Sequence, residues 1–393
     1  MSEGSRTCVR RGSEGGDRGD FNENQLRRIK MYGLYIHIPF CIKKCRYCDF
    51  TSFSGCDAVF DKYIETLLKE ARQYSNLLFD TVFIGGGTPT ILPPHQLKKL
   101  ISGIKEILQI KEDAEISIEA NPKTLNDEKL SLLKEQNINR LSIGVQSFSD
   151  SELEFLGRVH CADDAYHTVE LAKKYFDNLN IDLMFALPGQ SEESVLNSVK
   201  TALSLKPSHL SCYSLILEEG TDLYSEYEKG ILVPQDEDTD RNNFDKICKT
   251  LKQSGYTRYE ISNFAIPGYE CRHNLKYWNC DEYIGLGVAA HSYFNGKRFY
   301  NTDKLEEYLN GHIKDDEIEL SLDDKISEFM IMGLRKTNGI NIEEFNKRFK
   351  CFPYDKFNIK KFETNGLIIN DGKNIYLSEH GLDVSNSILC EFV

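Results

Sequence analysis

The stretch Leu34-Tyr35-Ile36-His37-Ile38-Pro39-Phe40-Cys41-Ile42-Lys43-Lys44-Cys45-Arg46-Tyr47-Cys48-Asp49-Phe50 decides how this chain folds. Leu34 to Ile38 is a short apolar run of the kind that forms a buried strand, and Pro39 stops it. Cys41, Cys45 and Cys48 follow at C-x3-C-x2-C spacing, so one tight loop carries three thiols and makes a metal site. A [4Fe-4S] cube normally takes four thiolates, so three local cysteines hold three of its irons and leave one for an outside ligand. Zinc would close its own shell, and His37 is the nearby histidine able to complete it. His37, however, lies inside the strand on the face shared by Tyr35 and Pro39, poorly placed to fold back onto the loop. Spacing alone ranks an iron-sulfur cluster first, zinc second and inert thiols third, and leaves all of them open.

Beyond the loop, short aliphatic runs alternate with amphipathic helices. Strands are expected at Leu34 to Ile38, Thr81 to Ile84, Glu115 to Glu119, Arg140 to Val145, Asn180 to Phe185 and His209 to Leu215. Phe60, Ile64, Leu67 and Ala71 share one face of the first intervening helix, and Leu97, Leu100, Ile101 and Ile104 one face of the next. Such βα repetition implies a parallel sheet covered on both faces. The expected class is α/β, a partial (β/α)6 TIM-like barrel with a small α+β domain behind it. Barrels place their working residues at the C-terminal strand ends. Just after successive strands stand the cysteine loop, Gly85-Gly86-Gly87-Thr88-Pro89, Glu119-Ala120-Asn121-Pro122, Gln146-Ser147-Phe148 and Pro188-Gly189-Gln190.

Residues 1–30 hold almost no apolar side chains and are expected to be a disordered tail. Residues 31–301 are expected to form the barrel, its open side closed by the aromatic, glycine-rich segment 256–300. Helical patterns, then a hairpin signal at Asp371-Gly372, predict a winged-helix-like C-terminal domain over 302–393. The net charge of −13 argues against nucleic acid as a partner. No apolar run approaches the ~20 residues of a membrane span, and no secretory h-region is seen, so a cytoplasmic location is expected. Nine further cysteines are scattered and read as reduced thiols.

His37-Ile38-Pro39-Phe40-Cys41-x3-Cys45-x2-Cys48-Asp49-Phe50 resembles the signature of radical S-adenosylmethionine (SAM) enzymes, in their oxygen-independent coproporphyrinogen III oxidase-like branch. The resemblance implies a [4Fe-4S] cluster on Cys41, Cys45 and Cys48, with SAM bound through its amino and carboxylate groups to the remaining iron. In that family an electron from the cluster splits the sulfonium into methionine and a 5'-deoxyadenosyl radical. S-I-E-A-N-P, S-I-G-V-Q-S-F, L-G-R-V-H and I-D-L-M-F-A-L-P-G-Q look like further family motifs. The resemblance thereby implies SAM contacts from Tyr35, Tyr47, Gly86, Gly87, Thr88, Glu119, Gln146, Arg158 and Asp182. Taken singly, a glycine triplet is as readily a tight turn, and each polar residue a cap or surface group.

His273-Asn274-Leu275-Lys276-Tyr277-Trp278 resembles the H-N-x-x-Y-W motif of HemW-type haem chaperones within that branch. It makes His273 a candidate axial ligand for haem as cargo, although the residues alone favour a hydrogen-bonded core histidine. His291, in the glycine-rich run Tyr283 to Ser292, is either cavity-facing or structural. The oxidases of the branch carry a further cysteine two residues after the third, where this chain has Phe50, and an ordered N-terminal segment. The expectation is a haem chaperone that delivers haem to acceptor proteins of respiratory-chain or bacterioferritin-like type. An oxygen-independent coproporphyrinogen III oxidase is the first alternative, and a zinc-stabilised, non-catalytic binding module the second. Productive SAM cleavage, peripheral membrane association and a homodimer are left open.

Overall fold

Six parallel strands carry the architecture of the computed structural model, which describes residues 30–393. The tail expected over residues 1–30 lies outside that range except for Lys30. The strands are β1 (Met31–Ile38), β2 (Leu78–Gly86), β3 (Gln109–Ala120), β4 (Arg140–Gln146), β5 (Leu179–Phe185) and β6 (His209–Ser214). They lie side by side in chain order, and each pairs parallel with the next. Every strand expected from the sequence is present.

Period-two alternation sets the two faces. Leu34, Ile36, Ile38, Val82, Ile84, Ile118, Leu141, Ile143, Val145, Ile181 and Leu210 point outward and are buried under the helices. Each such side chain contributes about 1.5–3 kcal/mol by leaving water. The alternate positions face inward and are mostly polar or aromatic: Tyr35, Phe83, Glu115, Ser117, Glu119, Arg140, Ser142, Asn180, Asp182, His209 and Ser211. An apolar shell therefore holds the barrel together from outside, while its interior is free for polar work.

The closing segment is divided between the two edges of the sheet. Asn263–Ala265 pairs antiparallel with β6, and Tyr283–Leu286 pairs parallel with β1. His291–Phe294, Lys297–Asn301 and Lys314–Glu319 then extend the sheet antiparallel beyond it. The barrel is thus open, its strand order running from Lys314–Glu319 at one edge to Thr257–Arg258 at the other.

Between the edges, helix Arg272–Trp278 lies across the lower end of the lumen. The Glu115 carboxylate accepts from the backbone N–H groups of Arg272 and His273, both at 3.1 Å, and so caps the start of this helix. Lys276 pairs with Asp80 at 2.8 Å. Deeper still, His209 bridges Asn180 at 2.6 Å and Tyr259 at 2.8 Å.

The C-terminal residues form a small antiparallel sheet in the order Ile340–Asn341, Asn374–Leu377, Ile368–Asn370. With helices such as Leu322–Gly333 and Ile342–Phe349 it encloses a second core of Ile326, Phe329, Met330, Phe345, Ile375 and Phe392. The expected turn at Asp371-Gly372 joins its last two strands, Gly372 having φ +88°. Cys280 joins this core, and Arg298 forms a bidentate pair with Glu328 at 2.6 and 2.7 Å. These contacts bind the C-terminal helices to the closing segment.

Candidate cofactor site at the barrel mouth

Pro39 ends β1, and the chain then turns into a loop closed at its base. Phe40–Cys41 pairs parallel with Phe53–Ser54, and the Phe53 N–H donates to the Pro39 carbonyl at 2.6 Å. Cys41, Cys45 and Cys48 are half-buried on this loop, and none is in a disulfide. Burial pushes the Cys48 thiol up to about 11 and raises the Cys41 thiol as well. A metal must therefore displace protons to bind them.

The glycine run lies directly alongside. Gly87 N–H donates to the Ile38 carbonyl at 2.9 Å and Thr88 N–H to the Phe40 carbonyl at 2.8 Å, which splints the two loops together. A Cβ on Gly87 would come within 2.8 Å of the Phe40 carbonyl oxygen. On Gly86, where φ is +110°, it would meet the His37 ring at 2.5 Å. On Gly85 it would meet the Glu119 carboxylate at 2.7 Å. The triplet is needed so that these parts of the protein can approach one another, whatever else it binds.

Thr88 Oγ1 lies 3.6 Å from Cys41 Sγ and accepts from Asn121 Nδ2 at 2.7 Å. Arg158 is half-buried beside the loop: Nη1 donates to Cys45 Sγ at 3.4 Å, and Nη2 donates to Asn121 Oδ1 and to the Gly144 carbonyl. Gln146 ends β4 at φ +71°, its amide nitrogen above the bare Gly144. Tyr47 packs beside Leu156, Met184 and Leu187. Asn121 thus joins Thr88 to Arg158. Asn121 was missed as a site residue, although its position two residues past Glu119 was an available signal.

Glu119 accepts from the Gly86 N–H at 3.0 Å. Burial, then the nearby Asp182 charge, pushes its carboxyl up to about 8. Asp182 accepts from Asn180 at 2.7 Å and Ser142 at 3.2 Å, and burial raises its carboxyl too. Tyr35, Glu119 and Asp182 lie deep in the protein yet keep part of their surface open, so they line a lumen rather than a packed core. Tyr213, 40% exposed, ends β6 on the same face and was missed because a tyrosine at a strand end is unremarkable in sequence.

The two histidines weighed as ligands are otherwise engaged. His37 Nε2–H donates to the Thr51 carbonyl at 2.9 Å, and Nδ1 accepts from the Tyr35 hydroxyl at 2.8 Å. It has no nitrogen left to complete a zinc shell. His273 is fully buried in the helix across the lower end of the lumen, bonded to Thr81 Oγ1 at 2.9 Å and to the Tyr277 hydroxyl at 2.8 Å. Burial, with Lys276 and Arg140 nearby, pushes its imidazole down to about 3. The structure gathers the cysteines, Gly86, Gly87, Thr88, Glu119, Gln146, Arg158, Asp182, Tyr35 and Tyr47 around the upper end of the barrel and leaves His273 outside that group. Among the described residues, no three His, Cys, Asp or Glu side chains are arranged to hold a single metal ion.

Residues 35–202 match the Radical SAM superfamily model, and residues 320–384 match the HemN C-terminal domain. The heme chaperone HemW of Bacillus subtilis is 38% identical to this chain, over 92% of it and 99% of the relative. HemW of Escherichia coli is 37% identical over 92% and 98%. The chain belongs to the HemW family. A mitochondrial radical SAM domain-containing protein 1 from Bos taurus is 32% identical over 91% of this chain and 86% of its own. The solved coproporphyrinogen III oxidase HemN of Escherichia coli superposes with TM-score 0.81 and 25% identity, over 93% of this chain and 91% of that one. The HemW family is thus built on the radical SAM fold that HemN shares, and membership implies SAM and a [4Fe-4S] cluster. No helix among the described residues is long and apolar enough to cross a membrane.

Proposed function

We propose that this protein is a haem carrier that binds haem and hands it to acceptor proteins, with a SAM-bound [4Fe-4S] cluster as its resident cofactor. The observation that carries this reading is similarity along nearly the whole chain to proteins named heme chaperone HemW. Phe50, in place of the additional cysteine expected of the oxidases, supports it further.

The residues at the mouth fit the cofactors. Cys41, Cys45 and Cys48 would hold three irons of the cube. His37, both of whose ring nitrogens are hydrogen-bonded, is not free to close a zinc tetrahedron with them. SAM would lie against Gly86, Gly87 and Thr88, with Tyr47, Gln146 and Tyr35 around it. Glu119 and Asp182 offer oxygens to its hydroxyl and ammonium groups, and a carboxyl raised to about 8 can donate as well as accept. Arg158 holds the Cys45 thiol and the Asn121 amide in place. When bound, the cluster supplies a single electron to the sulfonium. The protein's own residues position the two partners and set the charge around them.

The acceptors belong to the respiratory or bacterioferritin-like class in this reading, and the division into barrel and C-terminal domain belongs to it as well. Haem titration of anaerobically reconstituted protein tests it. A saturable Soret change at one haem per chain is expected, and its absence removes the carrier reading. Incubation with coproporphyrinogen III, SAM and a reductant should give no decarboxylated product; conversion would instead support the oxidase.

A further inference from the structure

All nine histidines lie within the described residues, and their surroundings sort them. His37, His209 and His273 are buried with both ring nitrogens hydrogen-bonded, and His160 is buried against the Val145 carbonyl at 3.1 Å. His291 differs from all of these. It is exposed to solvent, and neither ring nitrogen has a hydrogen-bond partner among the described residues.

Strand register places it on the lumen side. Tyr293 sits opposite Tyr283, and Tyr283 opposite Gly33, two residues before Tyr35 on β1. Directly paired residues present side chains to one face, and so do residues two apart. His291 therefore shares the inner face with Tyr35, Tyr283 and Tyr293. The remaining exposed histidines stand elsewhere: His95, His167 and His380 on surface helices and His312 on a turn.

The ring is also braced. Tyr300, its cross-strand partner, stacks on the imidazole at 5.3 Å and 26°. The backbone behind it is tightly seated: a Cβ on Gly285 would come within 2.2 Å of the His291 carbonyl oxygen, and Gly285 N–H donates to Ser292 Oγ at 2.9 Å. A free imidazole on a rigid strand, backed by an aromatic ring, has the chemistry of an axial ligand to haem iron.

We propose that His291, rather than His273, is the protein's ligand to haem iron, with Tyr300 as the brace of its ring. This rests on the haem-carrier reading above. The iron–nitrogen bond forms from an imidazole lone pair and displaces a weakly held axial ligand; the oxidation state of the iron does not change.

The test is a hemin titration of the reconstituted full-length protein, read by difference absorption and by the electron paramagnetic resonance of the ferric haem. The proteins compared are wild type, His291→Ala and His291→Met, with folding checked by circular dichroism. Wild type should show a saturable imidazole-ligated haem. His291→Ala should lose that signature and bind at least tenfold more weakly, and His291→Met should exchange it for thioether ligation. Wild-type binding with unchanged spectra and affinity in both variants overturns the assignment and leaves the carrier reading standing. No saturable binding by wild type overturns both.

Discussion

The Arg158 guanidinium donates to Cys45 Sγ at 3.4 Å while its other end holds Asn121 and the Gly144 carbonyl. One side chain therefore links the cysteine loop to the ends of β3 and β4. Hydrogen bonds to charged groups are worth about 1.5–3 kcal/mol, and a lysine cannot span the same fork. Arg158→Lys should leave the fold intact but lower iron and sulfide retained per chain after reconstitution and weaken SAM binding by roughly tenfold or more. Full retention of both would show that the cluster loop does not depend on this link.

Gly87 has backbone atoms of Phe40 and Ile38 where a side chain would begin, at 2.8 to 3.0 Å. Gly87→Ala must push the glycine run off the cysteine loop, at about 1–3 kcal/mol of overpacking. Loss of SAM binding should exceed the loss in thermal stability, which calorimetry alongside SAM titration can separate. Unimpaired SAM binding would mean that the two loops move apart without consequence.

Glu70 is buried, accepting from Tyr308 at 2.6 Å, Asn301 at 2.7 Å and the Gly287 N–H at 3.0 Å. Burial pushes its carboxyl up to about 7 from an ordinary 4.5, against the pull of those donors. The folded state then holds a proton that the unfolded chain releases. The resulting stability is fully present below about pH 4.5 and is lost as the pH rises to about 7. The wild-type stability curve should fall across that window relative to Glu70→Gln by up to roughly 3 kcal/mol. Parallel denaturation curves for the two proteins across the window would contradict it.

His273 supplies a different expectation. Its removal leaves the Thr81 and Tyr277 hydroxyls without their partner in a fully buried space. His273→Ala should cost about 2–4 kcal/mol, seen as a lower denaturation midpoint, while haem bound by the folded fraction keeps the wild-type spectrum. A changed axial signature at unchanged stability would reverse the roles given to His273 and His291.

The barrel strands were legible because every second residue must meet a helix. Leu34, Ile36 and Ile38, or Ile116 and Ile118, mark the outer face without help from anything distant. Helix Arg272–Trp278 was not, since seven residues are too few for a period to show and its start depends on Glu115, far away in the chain. The closing segment was expected at the open side of the barrel; how it divides between the two sheet edges was not legible, because it follows from each edge strand offering unpaired N–H and C=O groups that need a partner. The glycine triplet was read as a SAM contact or as a tight turn. What approaches it includes His37, Phe40 and Glu119, which only the fold brings there.

Cysteine spacing, proline and the alternation of apolar residues are local facts, and from them the sequence by itself determined the thiol loop, the order of the strands and the end of the barrel at which the polar residues collect. Which histidine is free was decided by tertiary structure alone. His273 and His291 both stand among tyrosines in the chain, but one enters a packed interior where hydroxyls take up both nitrogens, and the other lies on an open strand. The Tyr277 hydroxyl is four residues along the same helix, but the Thr81 hydroxyl is 192 residues away in the chain, and no local pattern encodes it or the burial around it.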